Sequence, residues 1–175
     1  LYEQGVDKNV RDQTDRTPLH WAAQEGHLPV TQYLCEQGAD KEARSNSGFT
    51  PLHYAAQDCH LPVVQYLCRQ GSDKEARNRG GGTPLLLAAY HGHLPVVQYL
   101  CELGADKEAR SGNGCSPMIF AAEQGHLPLV RYLYEHGADK EAGSDGDITS
   151  LHSAAGSFRL PVVQYLCEQG ADKEA

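Results

Sequence analysis

Residues Leu61 to Ala76 read LPVVQYLCRQGSDKEA, and nearly the same words return along the whole 175-residue chain. LPVTQYLCEQGADKEA runs from Leu28 to Ala43, LPVVQYLCELGADKEA from Leu94 to Ala109, and LPLVRYLYEHGADKEA from Leu127 to Ala142. A last copy, LPVVQYLCEQGADKEA, occupies Leu160 to Ala175. Successive starts are 33 residues apart, with no insertion. A fixed period of that size predicts a stacked array in which each unit touches mainly its neighbours. The frames are a partial unit over 1–11, then units 12–44, 45–77, 78–110, 111–143 and 144–175, all in one domain spanning 1–175.

Within the unit 45–77, Ser45-Asn46-Ser47-Gly48 is turn chemistry, because Gly and Asn tolerate positive φ. Thr50-Pro51 opens a helix: Thr is a good N-cap, and Pro at the first position loses only an N–H that had no partner. Leu52, Ala55 and Ala56 give it a stripe of small apolar residues, so a neighbour can pack close. A second helix starts near Leu61-Pro62, with Val63, Val64, Tyr66, Leu67 and Cys68 on its apolar side and Gln65, Arg69 and Gln70 facing water. Gly71 supplies a left-handed stop, and the polar run that follows suits a hairpin-like finger. Neither helix is long enough to persist alone, so stacking must stabilise both.

A net charge of −8 argues against non-specific attraction to nucleic acid or anionic membrane. No apolar run approaches the roughly 20 residues of a membrane span, and no signal-peptide pattern opens the chain. The opening LYEQGVDKNV reads as the tail of a repeat, so a targeting segment further upstream stays open. Four of the six cysteines (Cys35, Cys68, Cys101 and Cys167) share one repeat position, while Cys59 and Cys115 stand apart. Stacked equivalents lie about 10 Å apart, beyond the roughly 7 Å that a disulfide tolerates. They read as reduced, buried small hydrophobes of a cytoplasmic or nuclear protein.

The repeated pattern resembles the ankyrin repeat over essentially the whole chain. The family word TPLHxAA appears as TPLHWAA at Thr17–Ala23 and TPLHYAA at Thr50–Ala56. It is looser as TPLLLAA at Thr83–Ala89, SPMIFAA at Ser116–Ala122 and TSLHSAA at Thr149–Ala155. Gly-His follows at Gly26-His27, Gly92-His93 and Gly125-His126, and Gly-Ala-Asp at Gly38–Asp40, Gly104–Asp106 and Gly137–Asp139. The resemblance implies an all-α solenoid of stacked antiparallel helix pairs, with β-hairpin-like loops projecting as fingers. It also implies protein binding along the concave face made by fingers and first helices.

Departures from the family pattern are informative. DKEA stands where Asp-Val-Asn-Ala is common, which removes the finger asparagine that some members present to hydroxylating oxygenases. Repeat five is the most worn: Ser150 replaces Pro, Asp147 the turn Gly, and Phe158-Arg159 the Gly-His step. Cys59 stands where Gly is usual. A consensus design would keep these positions, so a natural tandem duplication is the better account.

Few residues combine into recognisable chemistry. There is no nucleophile elbow, no Walker loop and no dinucleotide fingerprint. Gly80-Gly81-Gly82 precedes a helix, yet no Lys-Ser or Lys-Thr follows, and a turn is the reading. His20, His53 and His152 occupy the TPLH position, and His27, His60, His93 and His126 the Gly-His position. In the family these are structural. His91 and His93 are two apart without further ligands at metal spacing. No catalytic residue, cofactor or metal is expected, and the DKEA rows read as solvated helix surface.

What varies on this constant frame is the set of finger tips and first-helix ends, which in the family face the groove. Candidate partner-binding positions are Arg16, Trp21, Gln24 and Glu25; Arg44, Asn46, Phe49, Tyr54, Gln57 and Asp58; and Arg77, Arg79, Tyr90 and His91. The later repeats add Arg110, Asn113, Cys115, Glu123 and Gln124, then Asp145, Ile148, Ser157 and Phe158. Phe49, Tyr90, Ile148 and Phe158 would be apolar anchors on an exposed strip. Arg11, Arg44, Arg77 and Arg110 recur at period 33, either as a positive stripe for an acidic partner segment or as bridges to an acid of the next finger. The function expected is a non-catalytic protein-interaction module, with a structural spacer or permanent scaffold subunit as the alternative. The partner is another protein, with no nucleic acid and no membrane insertion. Leu1-Tyr2 reads as a second-helix remnant, and neither end shows a polar capping repeat, so the array continues or something covers its ends.

Overall fold

The computed structural model describes residues 7–170. Within them α1 (Pro18–Gln24) pairs with α2 (Leu28–Glu36), α3 (Pro51–Gln57) with α4 (Leu61–Arg69), and α5 (Pro84–Tyr90) with α6 (Leu94–Glu102). α7 (Pro117–Gln124) pairs with α8 (Leu127–Glu135), and α9 (Ser150–Gly156) with α10 (Leu160–Glu168). First helices stack in succession, α1 on α3, α5, α7 and α9, and second helices stack behind them. The architecture is the expected all-α solenoid, with no strand among the described residues. The Leu1-Tyr2 remnant and the last DKEA word, Asp172–Ala175, lie outside the described residues.

Each first helix begins where a Thr or Ser in extended backbone meets Pro or, in α9, Ser150. In α1 and α3 the threonine N–H donates to a histidine Nδ1 three residues on, at 2.9 Å for Thr17–His20 and 3.1 Å for Thr50–His53. In α5 and α7 the hydroxyl oxygens of Thr83 and Ser116 accept the N–H groups of Leu86 and Ile119 instead. Either way an orphan donor of the first turn is satisfied or its neighbour held.

Between the two helices of a pair the chain turns through one left-handed residue: Gly26, Gly92 and Gly125, but Cys59 (φ 62°) and Phe158 (φ 57°) in the other two pairs. A side chain there costs conformational energy that glycine avoids. Space is short as well, since a Cβ on Gly26 would sit 2.3 Å from the His60 ring of the next pair.

The core is the repeated apolar seam. Leu52, Ala55, Ala56, Val63, Val64 and Leu67 are fully buried, as are their counterparts Leu85, Ala88, Ala89, Val96, Val97 and Leu100. Alanine pairs let α3 and α5 approach closely, while each buried Leu contributes roughly 1.5–3 kcal/mol. Tyr66 and Cys68 are only half-buried. The cysteines are less buried than expected: Cys115 alone is buried, Cys59 is exposed and the other four are intermediate. Burial still pushes the Cys68 thiol up to about 11, which keeps it protonated and unreactive.

The DKEA words among the described residues are a correction, because they lie in the turns after α2, α4, α6 and α8 and not on a helix surface. Asp40 accepts the N–H of Glu42 at 2.9 Å and so tightens its own turn. Lys41 reaches forward to the carbonyl of Gln70 at the end of α4, and Lys107 does the same to His136. Lys140 reaches Gln169 at 2.6 Å. The Glu42 carboxylate accepts the N–H of Asp73, Glu75 that of Asp106 and Glu108 that of Asp139, each at 3.1 Å. Helix C-termini leave carbonyls without partners and carry partial negative charge, so a lysine ammonium from the preceding unit suits them. Identical words therefore stitch each unit to the next.

Candidate binding surface

The fingers are closed by crossed bonds rather than a ladder. In 45–49 the Ser45 N–H donates to the Phe49 carbonyl at 2.9 Å and the Gly48 N–H to the Ser45 carbonyl at 2.8 Å. The pattern repeats at Asn78–Gly82, Ser111–Cys115 and Ser144–Ile148. Adjacent tips are then tied together: Asn46 to Thr14 (2.9 Å), Arg79 to Ser47 (3.0 Å), Gly112 to Gly80 (2.7 Å) and Asp145 to Asn113 (3.3 Å), N–H to carbonyl each time. The link is shortest between fingers three and four, where a Cβ on Gly81 would lie 2.7 Å from the Gly112 nitrogen.

The arginine row serves the same ribbon. One terminal nitrogen of Arg44 donates across its own finger to the Gly48 carbonyl (3.3 Å) and onward to the Arg77 carbonyl (2.6 Å). Arg77 repeats this on Gly81 and Arg110, Arg110 on Gly114 and Gly143, and Arg11 on Asp15 and Arg44. Of the two alternatives, a positive stripe or bridges to an acid of the next finger, the bridge is not what forms: the bonds go to backbone carbonyls. Carbonyls orient the guanidinium without neutralising it.

Histidines bind the helices to the fingers, as structural residues would. His20 Nε2–H donates to the Phe49 carbonyl (3.0 Å) and His53 Nε2–H to that of Gly82 (3.1 Å). Facing backwards, His93 meets the Gln57 carbonyl (2.7 Å) and His126 that of Tyr90 (3.1 Å). Arg159 takes over this second role, its Nε–H donating to the Glu123 carbonyl at 2.9 Å. Burial holds both His20 and His53 below the ordinary imidazole value, His53 down to about 4. Among the described residues no group of three or more His, Cys, Asp or Glu gathers as metal ligands.

The candidate positions fall into two clusters and several scattered points. At the N-terminal end, Arg16 lies 3.5 Å over the Trp21 ring and donates to Gln24 Oε1 at 2.7 Å, with Tyr54 5.6 Å away. Asp12 fixes this set by accepting from the Thr14 hydroxyl and N–H, the Arg16 N–H and Trp21 Nε1–H. Those donors, the Thr14 hydroxyl foremost, hold the Asp12 carboxyl well below the usual range. Phe49 leans on Tyr54 at 5.1 Å between centroids.

The second cluster lies between repeats three and four. Tyr90 stands edge-on to Phe120 (5.5 Å) and to His91 (5.1 Å). Together with Leu86, Leu87, Asn113, Gly80 and Gly82 they line a hollow of about 310 Å³ between fingers and first helices. Phe120 and Leu87 were not among the sequence candidates. They occupy the x position of TPLHxAA, the column that also supplies Trp21 and Tyr54.

The remaining positions stay apart. Asn46, Arg79, Asp145 and Ile148 are exposed on finger tips, and Glu25 at the end of α1. Gln57, Asp58, Glu123, Gln124 and Ser157 are half-buried at the ends of α3, α7 and α9. Cys115 is buried within its finger and turns no side chain outward. Phe158 is 94 % exposed, at the elbow between α9 and α10.

A family model described as ankyrin repeats in three copies matches residues 1–78, 48–111 and 85–175, which together run the length of the chain. This chain belongs to the ankyrin repeat family. Ankyrin repeats are protein-interaction modules and are generally non-catalytic. One stretch of 34 residues in this ankyrin-repeat chain is 50 % identical to part of the 26S proteasome non-ATPase regulatory subunit 10 of Dictyostelium discoideum. That similarity covers 19 % of the chain and 15 % of the curated relative. Among the described residues of the ankyrin array, no helix is long and apolar enough to cross a membrane.

Proposed function

We propose that this ankyrin array is a non-catalytic module that binds a protein partner along the face formed by its fingers and first helices. The observation that carries the reading is the hollow between repeats three and four, where Tyr90, 40 % exposed, stands against Phe120 with His91 at the rim. Rigid, partly exposed aromatics beside open backbone are the composition of interface anchors. Six free cysteines support a reducing compartment, cytoplasmic or nuclear.

Affinity capture from the native source, followed by quantitative binding to Tyr90→Ala and Phe120→Ala, tests it. Each truncation should weaken the partner by roughly fivefold or more while the array stays folded. A partner indifferent to both would remove the hollow from the interface.

A second reading, a permanent scaffold subunit, is favoured by the likeness to a protein whose name makes it a regulatory subunit of a larger assembly. Hydrogen exchange in the complex separates the two. Protection on α4, α6 and α8 with open fingers would support the scaffold reading.

A further inference from the structure

We infer that the finger tips form a docking edge for an extended, acidic segment of the partner, and that their charge order fixes its direction. The inference rests on the reading that the finger side of the array binds protein. It concerns what that side accepts.

In a chain of net charge −8 the three middle finger tips are an island. Residues 44–49 (RSNSGF), 77–82 (RNRGGG) and 110–115 (RSGNGC) hold Arg44, Arg77, Arg79 and Arg110 and not one acid. Both flanking tips differ. Residues 11–16 (RDQTDR) carry Asp12 and Asp15, while 143–148 (GSDGDI) carry Asp145 and Asp147 and put Gly143 where the arginine recurs.

The middle charges are held in place but not neutralised. Arg44, Arg77 and Arg110 are each pinned by one nitrogen to two carbonyls, and the rest of each donor fork is left for a ligand. Arg79 is exposed, its backbone tied to Ser47. Among the described residues none of the four has a carboxylate at ion-pair distance, the recorded pair being Arg16 with Asp12. A guanidinium already ordered by carbonyls loses little further freedom when it meets a carboxylate, so more of the attraction appears as affinity.

Spacing selects an extended occupant. Arg44 bonds to the backbone of Arg77 and Arg77 to that of Arg110, so the charges advance one per stacked unit, about 10 Å each. A polyproline-II chain turns once in three residues and rises about 9.3 Å in doing so, so a carboxylate at every third position keeps to one face and meets every arginine. Finger one balances Asp12 and Asp15 with Arg11 and Arg16, and Asp12 is paired with Arg16, whereas finger five carries Asp145 and Asp147 with no base. The fifth-finger end therefore repels the segment's continuation and favours a basic residue there, which sets its polarity. A nucleic acid would bring phosphates over Asp12, Asp15, Asp145 and Asp147 and against the negative net charge, which disfavours it.

The test uses the isotope-labelled array and three probes at low salt: a (Glu-Gly-Ser)n peptide, a peptide of the same composition with its glutamates in one block, and a single-stranded oligonucleotide. The spaced peptide should shift the side-chain N–H signals of Arg44, Arg77 and Arg79. It should bind at least about threefold tighter than the blocked one and be lost near 0.5 M salt. Arg79→Glu should weaken it by roughly threefold or more with an unchanged unfolding midpoint, since that side chain staples nothing. Equal binding of the two peptides, shifts away from the finger tips, indifference to Arg79→Glu, or tighter binding of the oligonucleotide would each overturn the inference. A native partner lost with Tyr90→Ala but indifferent to Arg79→Glu also overturns it and leaves the hollow standing. The reverse pattern supports the docking edge and removes the hollow.

Discussion

His53 donates its Nε2–H to the carbonyl of Gly82 across 3.1 Å, joining the start of one repeat to the finger of the next. The bond needs a neutral ring, because Nδ1 accepts the Thr50 N–H at the same time. Burial enforces neutrality by lowering the folded pKa to about 4 from the ordinary 6.5. Between those values the unfolded chain takes up a proton that the folded chain refuses, so stability is complete above pH 6.5 and falls toward pH 4. At about 1.4 kcal/mol per unit the loss from this ring approaches roughly 3 kcal/mol. Thermal melts at pH 7 and 5 should show the drop, and His53→Leu, which copies Leu86 of the next repeat, should reduce it. An unaltered pH slope in the variant would exclude His53 as the source.

Ser72 breaks the Gly-Ala-Asp word and buries a hydroxyl that finds no partner. Ala39, Ala105 and Ala138 fill the same position in other repeats, all buried. An unsatisfied buried hydroxyl costs about 1 kcal/mol or more, so Ser72→Ala should raise stability by about that amount in denaturant titration. A fall would mean the hydroxyl is bonded in solution.

Cys59 and Phe158 hold left-handed backbone with a Cβ present, at φ 62° and 57°. Replacing either by Gly should stabilise the array by about 1 kcal/mol, or 2–4 °C in Tm. Phe158→Ala should give little of that gain, since it keeps the Cβ. If Phe158→Ala stabilised as much as Phe158→Gly, the 94 % exposed ring and not the backbone would be the cause.

Arg159 stands in the Gly-His position and bonds the Glu123 carbonyl at 2.9 Å, as His126 bonds that of Tyr90. Arg159→His should therefore be nearly neutral, whereas Arg159→Ala should cost about 1 kcal/mol by orphaning that carbonyl. Equal melting curves for the two variants would show the bond to be idle.

Helix positions, caps and the apolar seam were legible because they depend on neighbours three or four residues away. Thr50-Pro51 and Leu61-Pro62 announce their helices without any knowledge of the rest. The stitching was not legible. Lys41 meets Gln70 and Arg44 meets Arg77, 29 and 33 residues on, and a word that looks like solvated surface in one unit shows its purpose only when the next is laid beside it. Repeat five looked worn for the same reason, since Arg159 differs from His in letter and matches it in bond. Of the candidate surface, the variable columns located Tyr90 and Trp21. Phe120 was not named, because its place against Tyr90 appears only when repeats three and four are stacked.

The links from Glu42 to Asp73, Glu75 to Asp106 and Glu108 to Asp139 are one joint made three times at one length. Excising any whole 33-residue frame would bring together two ends that already fit, and inserting one would do the same. Such a gene can lengthen or shorten by recombination without inventing a new seam, leaving selection to work on the tips alone.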